Sequence, residues 1–260
     1  MGRACPRRSH RGRPLGSVVR HPRTGVLEAV IFDLFNTLTT HEVRRDDVPW
    51  TADVLGVPRA LWSRALTEAS GPRLTGALKD PIEIIRHLAC SLDVSVTDDL
   101  LAIAASCHQQ LFDRVLRSVP DANVDVLRRL RDEGLRVAVL SNCDVLEIEA
   151  WSTSPLHGMF DVEVFSCQFG QAKPHPDIYR ECLRRLNAAP ENCIFVGDGG
   201  HGELGGARAV GIHTVLFSGV IQHTWPERIS GLLAEADFHI SSLDQLFSLP
   251  PFASRERADA

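Results

Sequence analysis

Short β-rich apolar runs alternate with helical stretches along most of this 260-residue chain, and this alternation limits the possible folds more than any other feature. The runs lie at 27–32, 135–140, 162–166, 193–196, 213–217 and 237–240. Between them, apolar residues recur at helical spacing, for example at Val124, Leu127 and Leu130. Such alternation predicts βαβ units and an α/β fold with a parallel sheet. The uninterrupted apolar run at 137–140 further predicts that helices cover both faces of that sheet.

A long helical segment interrupts the alternation after the first strand. Between Thr40 and Pro120 the strand pattern disappears, and helical patterns occur at 60–69, 81–92 and 98–116. Thr97 is placed to cap the last of these. The segment near 73–79, where Gly71, Pro72 and Gly76 break the helical pattern, predicts an inter-helix loop. We therefore expect an all-helical cap domain over residues 41–118, inserted into a core formed by residues 26–40 and 119–250.

The two ends of the chain differ in composition from the rest. The first 24 residues hold seven arginines and no acid, which leaves 21 basic and 33 acidic residues, a net charge of −12, for the remainder. Residues 1–25 are expected to be a disordered basic leader; an over-long start, with Val26 as the alternative, and an organelle presequence are two other interpretations. Residues 251–260, after two prolines, are expected to form a flexible tail.

Composition argues against several classes of protein. An acidic body disfavours nucleic-acid binding, because such partners are bound mainly by basic patches. The longest apolar run, at 100–105, is much shorter than the roughly 18 residues that cross a membrane. Seven widely spaced cysteines without a CxxC pair favour buried thiols, and without an export signal the expected compartment is the cytoplasm.

Polar residues follow four of the apolar runs. In an open α/β sheet the ligand lies beyond the carboxyl ends of the strands, so these residues are the candidates for a functional site. They occur in IFDLFNTL at 31–38, VLSN at 139–142, AKPHPDIY at 172–179 and FVGDGGHGELGGA at 195–207. The four segments supply Asp33, Ser141 with Asn142, Lys173 and Asp198. Lys173 is one of only two lysines in the chain.

This ordered set of four motifs resembles the haloacid dehalogenase superfamily, over nearly all of residues 26–245, with a helical cap inserted after the first motif. The resemblance implies a Rossmann-like three-layer core and a hydrolase of the phosphatase-like branch. It implies that Asp33 is a nucleophile that forms a covalent aspartyl intermediate. The other residues it assigns to catalysis or to substrate binding are Thr37, Ser141, Asn142 and Lys173.

The same resemblance implies a magnesium site. Asp33, the main-chain carbonyl of Phe35 and Asp198 would supply hard oxygen ligands to Mg²⁺. Glu203 stands where phosphatases of this family usually have a further aspartate, and it is either a metal-site residue or a solvated acid of a helix first turn. Asp198 as a simple helix cap is the structural alternative.

Phe35 departs from the phosphatase pattern, which has a second aspartate two residues after the nucleophile as general acid and base. Phenylalanine cannot transfer a proton, so substrates with good leaving groups are expected. An aromatic residue at this position resembles the metal-independent dehalogenase branch, whereas Asp198 argues against that branch. The expected function is magnesium-dependent hydrolysis of a small, anionic phosphorylated metabolite; a 2-haloacid dehalogenase and a non-catalytic binding domain are the alternatives. Oligomeric state stays open.

Several other polar residues lie near these motifs. His175 is interpreted as part of a turn that positions Lys173, and His201 as a weak candidate for ligand contact. Arg44, Arg45 and Arg73 of the predicted cap are possible ligands for an anionic substrate tail, but we expect them to belong to a solvated face.

Overall fold

The computed structural model describes residues 26–40 and 47–253. The predicted leader 1–25, the arginines at 44 and 45, and the last seven residues lie outside the described residues.

The core of the described chain is one six-stranded parallel sheet in the order β3-β2-β1-β4-β5-β6. All five neighbouring pairs are parallel, with Phe32 of the central strand level with Val139 on one side and Val196 on the other. Each predicted strand is present, with ends shifted by at most two residues. The strands are β1 Ala29–Phe32, β2 Arg136–Ser141, β3 Val162–Phe165, β4 Cys193–Gly197, β5 His213–Phe217 and β6 Phe238–Ile240.

Helices cover both faces of the sheet, which confirms the predicted three-layer architecture. Leu127 and Leu130 of one helix pack on one face, whereas Ile178 and Leu204 of two others pack on the opposite face. The α-helices are α1 Thr51–Val54, α2 Arg59–Glu68, α3 Gly71–Leu74, α4 Pro81–Cys90, α5 Asp98–Arg117, α6 Asp121–Asp132, α7 Ser166–Phe169, α8 Pro176–Leu186, α9 Glu203–Ala209, α10 Ile221–Thr224, α11 Ile229–Leu232 and α12 Pro250–Ala253. Short 3₁₀ turns lie at Trp151–Thr153, Pro190–Asn192, Gly200–Gly202, Pro226–Arg228 and Leu243–Ser248.

Helices α1 to α5 form the helical insertion between β1 and β2, and they share an apolar core around Trp62, Ile84 and Leu101, to which Leu146 from beyond β2 also contributes. The predicted loop near 73–79 is present from residue 75 onward, but its first two residues belong to helix α3, because a proline in a first turn favours rather than breaks a helix. Thr97 is the N-cap residue of α5, but its side chain makes no capping hydrogen bond. Asp80 caps α4 instead, accepting from the main-chain N–H groups at 82 and 83.

The carboxyl-terminal part is ordered further than the sequence indicates. Helix α12 extends three residues into the region for which we expect a flexible tail, because the Phe252 side chain is buried in the main core. Among the described residues, no helix has the length and apolar character that crossing a membrane requires.

Candidate active site

The carboxyl ends of β1, β2 and β4 bring the predicted residues to one edge of the sheet. Asp33 follows β1 directly, and its main-chain N–H donates to the carbonyl of Val196 at 2.9 Å, as a continuation of the sheet ladder. Ser141 is the last residue of β2, and Asp198 follows β4. Because these strands are adjacent and parallel, three motifs that are distant in sequence converge on one site.

Asp33 is held on both carboxylate oxygens. The hydroxyl of Thr37 donates to Oδ2 at 3.1 Å, and the ammonium of Lys173 donates to Oδ1 at 2.5 Å. The intervening turn places Asn36 at φ 62°, a left-handed conformation that asparagine tolerates better than most residues. Asp33 therefore has a fixed orientation at the sheet edge, while 7% of its surface stays accessible.

Lys173 is buried and links three parts of the site. Its Nζ also donates to Oε2 of Glu203 at 2.6 Å, so one ammonium is shared by two carboxylates. The side-chain amide of Asn142 bonds to both the N–H and the carbonyl of Lys173, at 2.7 and 2.8 Å. Burial disfavours the charged amine, but the charges of Asp33 and Glu203 outweigh it and raise the pKa of Lys173. The lysine is therefore a fixed positive charge and not a base.

Asp198 and Glu203 complete an acidic cluster with Asp33. One oxygen from each carboxylate lies within 4.8 Å of the others, and all three residues are buried. Burial, followed by the negative charge of Asp33, raises the pKa of Asp198 and of Glu203. Glu203 is thus not the solvated acid that was one of its two interpretations: its Oε1 accepts from the N–H of Gly199 at 3.0 Å, beneath the loop.

This donor set fits a divalent cation. Three buried carboxylates face a single ammonium, so the cluster lacks positive charge. The amide of Asn36 donates to Asp198 at 3.3 Å, whereas its Oδ1 is buried without a hydrogen-bond partner. Oxygen ligands without nitrogen or sulfur are those that Mg²⁺ prefers. Asp198 accepts from the N–H of Gly200 within the loop, but the N-cap residue of α9 is Gly202, so Asp198 does not cap this helix as the structural alternative required.

A cavity of about 560 Å³ lies above this cluster, between the sheet edge and the helical insertion. Asn142 and Lys173 line it beside Asp33, but Thr37 and Ser141 do not: they are 1% and 0% exposed. Their predicted substrate contacts stay predictions, and in this structure Thr37 contacts the nucleophile instead. The remaining walls come mainly from the helical insertion and from a segment after β5, and include Ser63, Leu66, Thr67, Arg73, Leu74, Phe112, Trp225 and Arg228.

From the sequence we expected Arg73 to lie on a solvated face, but the side chain is buried and only 5% exposed. Its Nη1 donates to Asp144 and to Glu147, each at 2.9 Å, and its Nη2 donates to the carbonyl of Leu66. Burial opposes its charge, yet the two carboxylates raise the pKa of Arg73. His108 lies 3.6 Å from Glu147 in the same cluster. The sequence does contain a signal for this cluster, two acids three residues apart after VLSN, but nothing in the sequence identifies Arg73 as their partner.

The side chain of Phe35 also connects the site to the insertion. Its ring meets that of Phe112 edge to face, with 5.0 Å between centroids, and Phe112 in turn contacts His108 at 4.9 Å. Phe35 thus forms an apolar contact at the place where the phosphatase pattern has an acid. This contact joins the loop after β1 to helix α5.

The two histidines near the motifs have different positions. His175 is the N-cap residue of α8, where its Nδ1 accepts from the N–H of Asp177 at 3.3 Å, so it stabilises the helix that follows Lys173. His201 lines the cavity on a turn with φ 52°. The structure therefore keeps His201, and not His175, near the candidate site.

Comparison with known proteins agrees with this geometry. Two curated relatives are named glyceraldehyde 3-phosphate phosphatase: one from Pyrococcus furiosus is 29% identical, covering 63% of this chain and 67% of its own, and one from Methanopyrus kandleri is 28% identical, covering 73% and 83%. The L-2-haloacid dehalogenase structure from Xanthobacter autotrophicus has a TM-score of 0.61 at 22% identity, covering 88% of this chain and 98% of its own, and so shares the fold. A family model described as haloacid dehalogenase-like hydrolase matches residues 27–211. The chain belongs to this hydrolase family, as the four motifs indicated.

Proposed function

We propose that this hydrolase is a magnesium-dependent phosphohydrolase of small phosphorylated metabolites, with Asp33 as the nucleophile. The observation that supports this most is the arrangement of Asp33 between Thr37 and Lys173, beside two further buried acids and at the floor of a cavity. The relatives named as glyceraldehyde 3-phosphate phosphatases favour phosphate esters as the substrate class.

In the proposed reaction, a carboxylate oxygen of Asp33 attacks phosphorus in line with the leaving oxygen. The P–O bond to the leaving group breaks, its electron pair stays on the leaving oxygen, and an aspartyl phosphate forms. Water then attacks this intermediate at phosphorus, which releases inorganic phosphate and restores the carboxylate. Thr37 would hold the attacking carboxylate in position through the hydrogen bond from its hydroxyl to Oδ2.

Lys173 stabilises negative charge in this scheme. Its ammonium lies against Asp33 and Glu203, and the side chain of Asn142 holds its main chain, so the charge is already in place for the phosphoryl oxygens. Asn142 lines the cavity and would orient the same oxygens through its amide. Ser141, fully buried behind them, would support the loop.

Asp33, Asp198 and the main-chain carbonyl of Phe35 would hold Mg²⁺, with Glu203 beside them. The ion, when bound, offsets the repulsion between the carboxylate nucleophile and an anionic phosphate. Glu203 is bonded to Lys173 and to Gly199, so we assign it to positioning the lysine and the loop beside the ion.

Phe35 limits the substrates. Since no acid stands at this position to protonate the leaving oxygen, the leaving group departs as an anion, and aryl phosphates or anhydrides should react faster than alkyl phosphates.

The test is hydrolysis of p-nitrophenyl phosphate with Mg²⁺ and with excess EDTA, because nitrophenolate leaves without protonation. We expect turnover that requires Mg²⁺ and that Asp33→Asn abolishes, with Arg128→Met, an exposed substitution away from the cavity, as the control. An Asp33→Asn variant with full activity would contradict the proposal. Mg²⁺ should also raise the unfolding temperature of the wild type but not of Asp198→Asn, which gives a readout independent of turnover.

A 2-haloacid dehalogenase is the second candidate, favoured by the aromatic Phe35. It would release chloride from 2-chloropropionate in EDTA. A metal-independent reaction does not require the buried acid Asp198, so the phosphohydrolase is the better match. Ligand-dependent stabilisation without any turnover would support a non-catalytic binding domain instead.

A further inference from the structure

Three lysine or arginine side chains line the cavity, and two of them are already paired. Lys173 is bonded to Asp33 and Glu203, and Arg73 to two carboxylates of the core. Arg228 has no such ion pair: within the described part of the chain, no carboxylate lies within salt-bridge distance of its guanidinium, which makes one long hydrogen bond of 3.5 Å. Its charge does act on the nearby Asp198, where it opposes the rise in the pKa of that acid. Arg228 is therefore the cavity cation that is available to a ligand.

The position of Arg228 is restrained from two sides. Its Nη2 donates to the carbonyl of Gly199, and its Cζ lies 5.8 Å from the centre of the Trp225 ring, within the range of a cation–π contact. The main chain fixes the pair, because the N–H of Arg228 donates to the carbonyl of Trp225 at 3.1 Å. A half-buried arginine held in this way loses little side-chain entropy when it binds an anion.

Arg228 is displaced from the position where phosphoryl transfer would occur. Its segment follows β5, which is separated from β1 by β4, and adjacent strands are about 4.8 Å apart. Its hydrogen bond reaches the loop after β4, next to Asp198, and none of its bonds within the described residues reaches Asp33 or Lys173. Arg228 thus lines the cavity on the side of Asp198 and Gly199.

We propose that Arg228 binds a second anionic group on the leaving group of the substrate, and that the enzyme therefore selects phosphate compounds with two separated negative groups, bisphosphates or phosphorylated carboxylates. This inference rests on the proposed phosphohydrolase function. A guanidinium is suited to either group, because its planar fork matches phosphate and carboxylate oxygens. The charge also compensates for Phe35, because it stabilises a leaving group that departs unprotonated.

The experiment compares three aryl phosphates of similar shape: phenyl phosphate, 4-carboxyphenyl phosphate and 1,4-phenylene bisphosphate. The wild type should prefer one or both of the doubly anionic compounds by about tenfold or more in kcat/KM, mainly through KM. A comparison of 4-carboxyphenyl phosphate with 1,4-phenylene bisphosphate shows whether a carboxylate or a phosphate is preferred as the second anion. Arg228→Met should remove most of that preference, Arg228→Lys should keep part of it, and the exposed Arg128→Met should leave it unchanged.

Two outcomes would overturn the proposal. One is a wild type without preference for the doubly anionic compounds, or a preference that Arg228→Met retains. The other is an equal loss for all three compounds in Arg228→Met at unchanged unfolding temperature, which would assign Arg228 to the transferred phosphoryl group.

Binding separates this inference from the proposed function. The three compounds are titrated into Asp33→Asn protein, with and without Arg228→Met, so that affinity does not depend on turnover. If the wild type hydrolyses none of them but the charge preference in binding is present and requires Arg228, the phosphohydrolase proposal fails and the subsite is supported. If the wild type hydrolyses the compounds but shows no charge preference, the phosphohydrolase proposal is supported and the Arg228 subsite fails.

Discussion

Arg73 and Glu147 form a buried ion pair, with 2.9 Å between Nη1 and Oε1, that joins the helical insertion to the sheet-bearing part of the molecule. The same guanidinium nitrogen binds Asp144, two residues beyond Asn142. Since Asn142 holds the main chain of Lys173, a continuous set of contacts leads from the insertion to the nucleophile. The position of the insertion and the geometry of the site are therefore physically linked.

Removal of Arg73 should destabilise the protein strongly. In Arg73→Met two carboxylates stay buried without a counter-charge, and we expect the free energy of unfolding to fall by about 3–5 kcal/mol. Urea unfolding measures this loss. Arg64→Met, in an exposed pair with Glu68, is the matched control and should cost less than about 1 kcal/mol. The double variant Arg73→Met with Glu147→Gln should recover part of the loss; no recovery would contradict the electrostatic explanation.

Glu147 should make the free energy of unfolding depend on pH in the acidic range. Burial favours its neutral form, but Arg73 and His108 outweigh burial and lower its pKa from 4.5 to about 2. Ionised Glu147 therefore contributes stability that is complete above about pH 4.5 and is lost as the pH falls towards 2. In unfolding experiments from pH 6 to 3, the advantage of the wild type over Glu147→Gln should shrink below pH 4.5. A constant difference would show that Glu147 is not ionised in the folded protein.

Phe35→Asp should change the leaving-group dependence. A carboxyl group at this place can protonate a leaving oxygen, so kcat/KM for an alkyl phosphate should rise by about 10² relative to that for p-nitrophenyl phosphate. The loss of the edge contact with Phe112 should lower stability at the same time. Phe35→Leu separates the two effects, because it removes the ring without adding an acid and should leave the relative rates unchanged. If the ratio of kcat/KM for the alkyl phosphate to that for p-nitrophenyl phosphate is the same in Phe35→Asp and Phe35→Leu, our interpretation of Phe35 is wrong.

Substitution of Gly76 should lower the stability of the protein more than substitution of a glycine with the same backbone conformation elsewhere. A Cβ on Gly76, at φ 69°, would lie 2.0 Å from the main-chain oxygen of Cys167, whereas a Cβ on Gly56, at φ 67°, meets no atom within 4 Å. Gly56→Ala therefore incurs only the left-handed strain of about 1–2 kcal/mol. Gly76→Ala should lose about 1–3 kcal/mol more, because the insertion must move off the core. Equal unfolding midpoints for the two variants would refute this explanation.

Much of the architecture was predictable from local pattern. Six apolar runs gave the six strands, because a parallel sheet covered on both faces requires continuous apolar segments. The motif residues met at one edge for the same topological reason. Short-range rules failed where tertiary contacts decide the outcome: Thr97 made no capping bond, and Phe252 became ordered by burial in the core.

Long-range charge pairing was the part that the sequence could not predict. Arg73 and Glu147 are 74 residues apart, and an arginine in a glycine- and proline-rich segment is indistinguishable from a solvated one until its partner is located. Arg228 has the converse property, since its significance comes from having no carboxylate of the described residues within salt-bridge distance. Neither property can be deduced from spacing along the chain.

The shared ammonium of Lys173 has a practical consequence for labelling chemistry. The chain has two lysines, of which Lys173 is 4% exposed and stays protonated, whereas Lys79 is exposed on the helical insertion. An amine-reactive dye should thus attach to one lysine side chain, along with the terminal amine. The insertion therefore has one lysine, Lys79, at which a fluorescent reporter can be attached.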